Sequence, residues 1–343
     1  MAPALVDPVP APVTIPLDGA VERGRLPPLL MVFLALLGGF VATNLIGALG
    51  GIILLLPQLR ELDGNAETLS TDLQTLLGGL MERAGPFLTL NAIGQFLGFA
   101  LLAWVFARWS SRSRPRLFLR LRAPELAGLL IAVLGLFALT PVVQWLGTLT
   151  SSLPLPQWLQ ELEDTNSRML ERALVGSGLS PLFLLATMAL TPALCEELLF
   201  RGYVHRQVER RHGPMVAVLL VGVLFGLYHL SPTKALPLAV LGMWLGYVTW
   251  ATGSLWPAVV VHFLNNAFAV AASTYVERSL GGDTAALENT EIPLWAVGVG
   301  VAGTLAAGWA LRRRHAALTR IAFARTAPAA ASPPPVSSAP PSP

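Results

Sequence analysis

A series of eight long apolar stretches, separated by short polar segments, constrains this chain more than any other feature. A helix needs roughly 20 mostly apolar residues to cross the hydrocarbon core of a bilayer. The stretches lie at about 28–56, 86–107, 124–149, 181–204, 214–231, 235–251, 255–274 and 292–311. Backbone polar groups in lipid must bond internally, so stretches of this length predict helices. The sequence therefore predicts an all-α polytopic membrane helical bundle of about eight transmembrane helices.

Composition agrees with this fold class. Hydrophobic residues make up 54% of the chain and charged residues only 13%, whereas soluble domains carry about 25% charged residues. A water-soluble protein this apolar could not cover its surface with polar groups. The single cysteine, Cys195, excludes an internal disulfide framework and a cysteine-rich metal site.

Five segments of different character are expected along the chain. The last of them contains only Pro, Ala, Ser, Val and Thr, so it cannot bury apolar surface and is expected to be disordered. The segments are a flexible N-terminal segment (1–27), helices one to three with extracytoplasmic loops (28–180), a catalytic core of helices four to seven (181–274), a loop with the last helix (275–325) and a tail (326–343).

The distribution of basic residues predicts the orientation. If the N-terminus is cytoplasmic, 16 of the 23 Lys and Arg residues lie on the cytoplasmic side, six lie opposite, and Arg201 lies within a span. Basic residues are enriched in cytoplasmic loops. We therefore expect both termini in the cytoplasm and the protein in a bacterial cytoplasmic membrane.

Few ionisable residues occur inside the spans. Beyond a glutamate at the start of the third, they are Glu196, Glu197, Arg201, His229 and His262, all in spans four, five and seven. A charged residue at mid-bilayer costs about 2.5–3.5 kcal/mol on insertion scales. Residues this costly indicate a functional site. The alternative is a buried ion pair with hydrogen-bonded histidines that only fixes helix packing.

Spacing on the helices adds detail. Glu197 and Arg201 are four residues apart, so they share a helix face and can pair. Glu196 is rotated about 100° from Glu197, so the two acids can have different roles. His262 and Asn266 are also four apart, which places an imidazole and an amide on one face.

Three short motifs on separate spans resemble those of a known family. Residues 196–201 (EELLFR) are similar to the Glu-Glu-x-x-x-Arg motif of the CPBP intramembrane proteases, which include the CAAX prenyl proteases of the Rce type and the bacterial Abi proteins. Residues 225–229 (FGLYH) resemble the family's Phe-x-x-x-His motif, and residues 262–266 (HFLNN) its His-x-x-x-Asn motif. Together the motifs cover about 181–274.

The resemblance implies a glutamate-dependent endopeptidase working inside the membrane, with a cavity open to the cytosol. Peptide hydrolysis needs an activated water and a donor for the developing oxyanion. The resemblance gives Glu196 the role of general base and lets His229 share the water and help to protonate the leaving amine. His262 and Asn266 would donate to the oxyanion.

The remaining pair, Glu197 and Arg201, would hold the fourth helix, although the roles of the two glutamates could be reversed. The family points to chemistry without a metal or another cofactor. A rival interpretation is a zinc metalloprotease with Glu196, His229 and His262 as ligands, a legitimate catalytic set. Other rivals are a non-catalytic membrane adaptor or immunity protein that retains the fold, and a proton-coupled transporter.

The expected partners are a peptide or protein substrate, lipidated or membrane-bound, and the lipid bilayer. The arginine-rich loop at 108–122 lies between two spans. It is therefore interpreted as a topological signal that contacts lipid headgroups rather than nucleic acid.

Overall fold

The fold was analysed in a computed structural model, which describes residues 4–7, 13–59, 76, 79, 83–174, 178–279 and 292–326. The predicted disordered tail falls outside these residues from 327 onward. So does most of the predicted loop before the last helix.

Within the described residues the chain forms one short antiparallel ribbon followed by helices. The strands are β1 (Ala4–Asp7) and β2 (Val13–Pro16). The helices are α1 (Ala20–Arg23), α2 (Pro28–Leu59), α3 (Ala84–Ser110), α4 (Pro115–Phe118), α5 (Leu126–Ser151), α6 (Gln157–Leu174), α7 (Pro181–His212), α8 (Pro214–Tyr228), α9 (Pro232–Thr252), α10 (Trp256–Ser279) and α11 (Leu294–Thr326).

The predicted membrane bundle is confirmed, with one correction. Each of the eight predicted spans corresponds to a helix, and seven of the described helices are long and apolar enough to cross a membrane. The exception is α8, which has only 15 residues and is about 22 Å long at 1.5 Å per residue. It ends early because Leu230 takes a left-handed backbone conformation, with φ 51°, and Pro232 then starts the next helix.

Helices α3 and α7 contain π-helical stretches, which are frequent at functional sites. One lies in α3 at Phe96–Leu101, and two lie in α7 at Leu185–Leu190 and Leu198–Val204. The α-helical part of α7 between its two π stretches is Thr191–Glu197. Both glutamates of the first motif therefore sit in a short α-helical segment whose direction depends on the wider turns on either side.

Helices α8 and α9 pack with their backbones in close contact at glycines. A Cβ atom added at Gly226 would lie 2.1 Å from the carbonyl oxygen of Ala235, and one added at Gly222 would lie 2.5 Å from Met243 Cγ. Small residues permit this approach between membrane helices. This close packing places the carbonyl of Gly242 on α9 within hydrogen-bonding distance of Arg201 on α7.

The N-terminal segment, expected to be flexible over 1–27, contains both strands and α1. Three of its apolar side chains are buried: Ile15, Leu17 and Val21. Asp18 Oδ1 accepts hydrogen bonds from the backbone N–H groups of Arg112 (2.7 Å) and Ser113 (3.3 Å). Arg210 donates to both carboxylate oxygens of Glu22, at 2.7 and 2.9 Å. These contacts attach residues 15–24 to the ends of α3 and α7.

A buried ionic cluster joins α7 to the segment before α5. Arg120 pairs with Glu209, and Arg206 Nε donates to the carbonyl of Phe118 at 3.2 Å. The backbone N–H of Leu255 donates to the carbonyl of Arg120 at 3.0 Å. Both arginines are among the basic residues predicted on the cytoplasmic side, yet they are buried, at 2% and 1% exposed. The cluster therefore fixes the turn between α9 and α10, and the third motif lies on α10 just beyond this turn.

Candidate active site

Helix α7 contributes a fully buried ion pair. Arg201 Nη1 lies 2.6 Å from Glu197 Oε1, and both side chains are 0% exposed. The pairing predicted from their spacing is confirmed. A buried ion pair is stable only when further hydrogen bonds to its remaining polar atoms offset the cost of removing both charges from water.

Two further contacts hold the Arg201 guanidinium. Its Nη2 donates to the carbonyl of Gly242 on α9 at 3.0 Å. Its Cζ lies 4.3 Å from the centroid of the Phe225 ring on α8, within the range of a cation–π interaction. One side chain thus connects three helices.

His262 on α10 binds the same carboxylate. Its Nδ1 lies 2.9 Å from Glu197 Oε1, and the residue is 3% exposed. A carboxylate accepts hydrogen bonds, so the imidazole donates from Nδ1 and its Nε2 remains for another group. Glu197 Oε1 is therefore shared by Arg201 and His262, while its Oε2 is buried without a partner among the described residues.

His229 follows the last residue of α8. Its Nδ1 lies 2.8 Å from the carbonyl oxygen of Phe225. A carbonyl can only accept, so Nδ1 carries the proton and the Nε2 of the neutral ring has a free lone pair. The side chain is exposed. His229 thus presents an acceptor nitrogen away from its own helix.

Phe225 lies between the two imidazoles. Its ring centroid is 4.9 Å from that of His229 and 5.8 Å from that of His262, and both contacts are edge-to-face. The motif residues of α7, α8 and α10 therefore meet in one cluster, with Phe225 in contact with both histidines and with Arg201.

Asn266 lies one turn beyond His262. Its Nδ2 donates to the carbonyl of Met188 at 3.4 Å, a long bond, and its Oδ1 accepts from Asn265 Nδ2 at 3.1 Å. Because Asn265 occupies the oxygen, the Asn266 amide group is held with its nitrogen toward α7. The second N–H of that nitrogen is left for another acceptor.

Glu196 differs from its neighbour in burial and in hydrogen bonding. It is only half-buried and makes no side-chain hydrogen bond within the described part of the chain, where its Oε2 is buried without a partner. No hydrogen bond connects it to His229 or His262 there. Among the described residues, no three His, Cys, Asp or Glu side chains are arranged to hold a metal ion.

Comparison with known families supports the motifs. Residues 178–268 match the family model described as type II CAAX prenyl endopeptidase Rce1-like. This segment is similar to that family. It covers about a quarter of the chain and includes every predicted site residue from Glu196 to Asn266. No curated protein and no solved structure matches the chain.

The resemblance inferred from the motifs is thus confirmed at family level, and the family is one of peptidases. Together with the apolar helices it makes the chain an integral membrane protein. Within the Rce1-like segment, three contributors were missed by sequence reasoning: the ring of Phe225, the carbonyl of Gly242 and the amide of Asn265. Only Phe225 carried a signal, as the first residue of the second motif.

Proposed function

We propose that this protein is an intramembrane endopeptidase in which Glu196 activates the hydrolytic water. The contrast between two adjacent glutamates supports this proposal most directly. Glu197 is held by Arg201 and His262, whereas the buried Oε2 of Glu196 accepts no hydrogen bond from the described residues. Neighbouring acids in unequal environments are a recurring arrangement for acid–base chemistry.

The reaction would begin with a water that donates one hydrogen bond to Glu196 and another to the lone pair of His229 Nε2. Glu196 takes a proton as the water oxygen attacks the peptide carbonyl carbon. The tetrahedral intermediate then collapses, the C–N bond breaks, and the proton passes from Glu196 to the leaving amine, either directly or by way of His229 Nε2. Both products retain their full complement of atoms, and the carboxylate returns to its starting state.

The oxyanion would receive donors from α10. His262 would donate from Nε2, with the direction of its ring fixed by the Nδ1 contact to Glu197. The free N–H of Asn266 supplies a second donor. Fixed donors of this kind typically contribute about 2.7–4 kcal/mol each to the lowering of the barrier.

The substrate class follows from the surroundings. The site lies among helices that are apolar enough to cross a membrane, so the scissile peptide belongs to a lipidated or membrane-bound protein. We propose a bacterial cytoplasmic membrane with both termini in the cytoplasm, supported by the excess of basic residues on that side.

The test compares new protein termini in membranes that contain wild type or Glu196→Gln. Glutamine keeps the size of the side chain but cannot take the proton, so cleavage should fall by about 10²–10⁴-fold. The matched control is Glu125→Gln. Glu125 pairs with Arg314 at the start of α5 and is 40% exposed, so this change should leave cleavage intact.

Chemical rescue decides which glutamate is the base. Formate should restore part of the cleavage to Glu196→Ala, because that half-buried position can admit a small carboxylate. It should not restore Glu197→Ala, whose side chain is fully buried. Rescue of Glu197→Ala alone would reverse the assignment. Full cleavage by Glu196→Gln, or cleavage that chelators abolish and zinc restores, would contradict the proposal.

A further inference from the structure

The connection from α8 to α9 holds His229, and an unusual backbone conformation lies within it. Leu230 has φ 51°, in the left-handed region that a leucine rarely adopts. Its own side chain is 60% exposed and so contributes little packing to hold it there. The conformation must therefore be maintained by the residues on either side.

On the α8 side, the helix end supplies two hydrogen bonds. The backbone N–H of His229 donates to the carbonyl of Gly226 at 3.3 Å, and that of Leu230 donates to the carbonyl of Leu227 at 3.1 Å. These bonds continue the helix but do not fix where the chain goes next.

On the α9 side, a buried carboxylate from another helix binds the connection. Glu163 of α6 accepts from Ser231 Oγ at 3.0 Å and from the backbone N–H of Thr233 at 3.4 Å. Ser231 also caps α9 by accepting from the backbone N–H of Lys234 at 3.3 Å. The carboxylate thus lies at the N-terminus of α9, where the helix dipole favours a negative charge.

Glu163 is the buried one among the acidic residues of α6 whose side chains the structure describes. It is 6% exposed, whereas Glu161 and Asp164 are exposed. No Lys, Arg or His pairs with it within the described ranges, so its charge is offset by Ser231, Thr233 and the end of α9. A buried carboxylate is costly unless it is hydrogen-bonded, and this one makes its hydrogen bonds two and four residues from His229.

We propose that Glu163 is a positioning residue for His229: by holding Ser231 and Thr233, it fixes the left-handed turn at Leu230 and thereby the direction of the His229 imidazole. The inference rests on the proposed function for its effect on cleavage. Its effect on the imidazole itself can be measured without any substrate.

The first measurement is nuclear magnetic resonance of the full-length protein in detergent micelles with ¹⁵N-labelled histidine. The chain has only five histidines, and the bond to Phe225 places the His229 proton on Nδ1. In wild type the His229 signals should show that tautomer. In Glu163→Ala they should move toward a mixture of tautomers, while the His262 signals stay in place. Asp164→Asn, the matched control, should leave both unchanged.

The second measurement is steady-state cleavage. Glu163→Ala should lower kcat by about 10- to 100-fold, as expected for a misplaced catalytic group, with KM changed less than about twofold. Glu163→Gln keeps one acceptor oxygen and should recover part of the loss. Asp164→Asn should match wild type.

The outcomes separate this inference from the proposed function. A His229 signal that shifts in Glu163→Ala supports the positioning role even if no variant, wild type included, cleaves any substrate; only the proposed function would then fail. An unchanged His229 signal in Glu163→Ala overturns the inference. So does an equal shift of the His262 signals, because the effect would then be a general loss of structure.

Discussion

Replacing Arg201 by methionine would leave the Glu197 carboxylate fully buried without its guanidinium partner. In the structure that guanidinium lies 2.6 Å from Glu197 Oε1, donates to the carbonyl of Gly242 at 3.0 Å and lies 4.3 Å from the Phe225 ring centroid. Methionine fills similar space but offers neither charge nor donor. The change therefore isolates the electrostatic contribution of Arg201 from its packing.

The expected cost follows from these contacts. Breaking a buried ion pair by removing one partner typically destabilises a protein by about 3–5 kcal/mol. His262 still donates a hydrogen bond to Glu197 in this variant and offsets part of the loss, so we expect the lower half of that range. Arg201→Lys keeps the charge but replaces the two nitrogens that bond Glu197 and Gly242 by a single one, so we expect a loss of about 1–2 kcal/mol.

The decisive comparison adds Glu197→Gln to Arg201→Met. If the single variant is unstable because of an uncompensated charge, the double variant should recover to within about 1–2 kcal/mol of wild type, since replacing both ions is often nearly neutral. The free energy of unfolding can be measured in mixed micelles by titration with sodium dodecyl sulfate, followed by tryptophan fluorescence. A double variant no more stable than Arg201→Met would refute the reasoning.

Two other predictions concern packing and pH. Gly226→Ala should destabilise the bundle by about 1–3 kcal/mol or more, because the added Cβ would meet a carbonyl oxygen of α9 at 2.1 Å. In Gly51→Ala the added Cβ has nothing within 4 Å, so this variant should stay within about 1 kcal/mol of wild type in the same titration. Equal effects of the two substitutions would contradict this prediction. Burial raises the pKa of Asp18, but hydrogen bonds from Ser113 and from the N–H of Arg112 outweigh it and leave the pKa below its ordinary value of 3.8. The attachment of the N-terminal segment should therefore be intact above pH 3.8 and weaken as the pH falls below it. The weakening would be measured as faster amide exchange at Arg112, after correction for intrinsic rates. The same acid dependence in Asp18→Asn would contradict this prediction.

Local spacing predicted the parts of the site that lie on one helix. Glu197 and Arg201 are one turn apart, so their pairing follows from the geometry of any helix. The membrane bundle likewise follows from the length and apolarity of each stretch. The family resemblance also predicted His229 and His262 in one site, and in the structure both rings contact Phe225.

Contacts between distant segments could not be read from spacing. The bond from His262 to Glu197 joins residues 65 apart, and the bond from Ser231 to Glu163 joins residues 68 apart. Both depend on how helices pack, which a single sequence does not specify. The short length of α8 was also missed, because a leucine such as Leu230 gives no signal of a left-handed turn.

The π-helical stretch at Leu185–Leu190 lies ahead of the acid pair in α7. A π turn contains one residue more than an ordinary α-helical turn, so losing one residue there would let the ordinary hydrogen-bond ladder form while the residues beyond it keep nearly the same direction. Losing one residue from the α-helical stretch that follows, ahead of Glu196, would instead turn both glutamates by about 100° relative to the preceding residues, and Glu197 would point away from His262. In a shortened relative with intact motifs, the place of the missing residue therefore decides whether the centre can work.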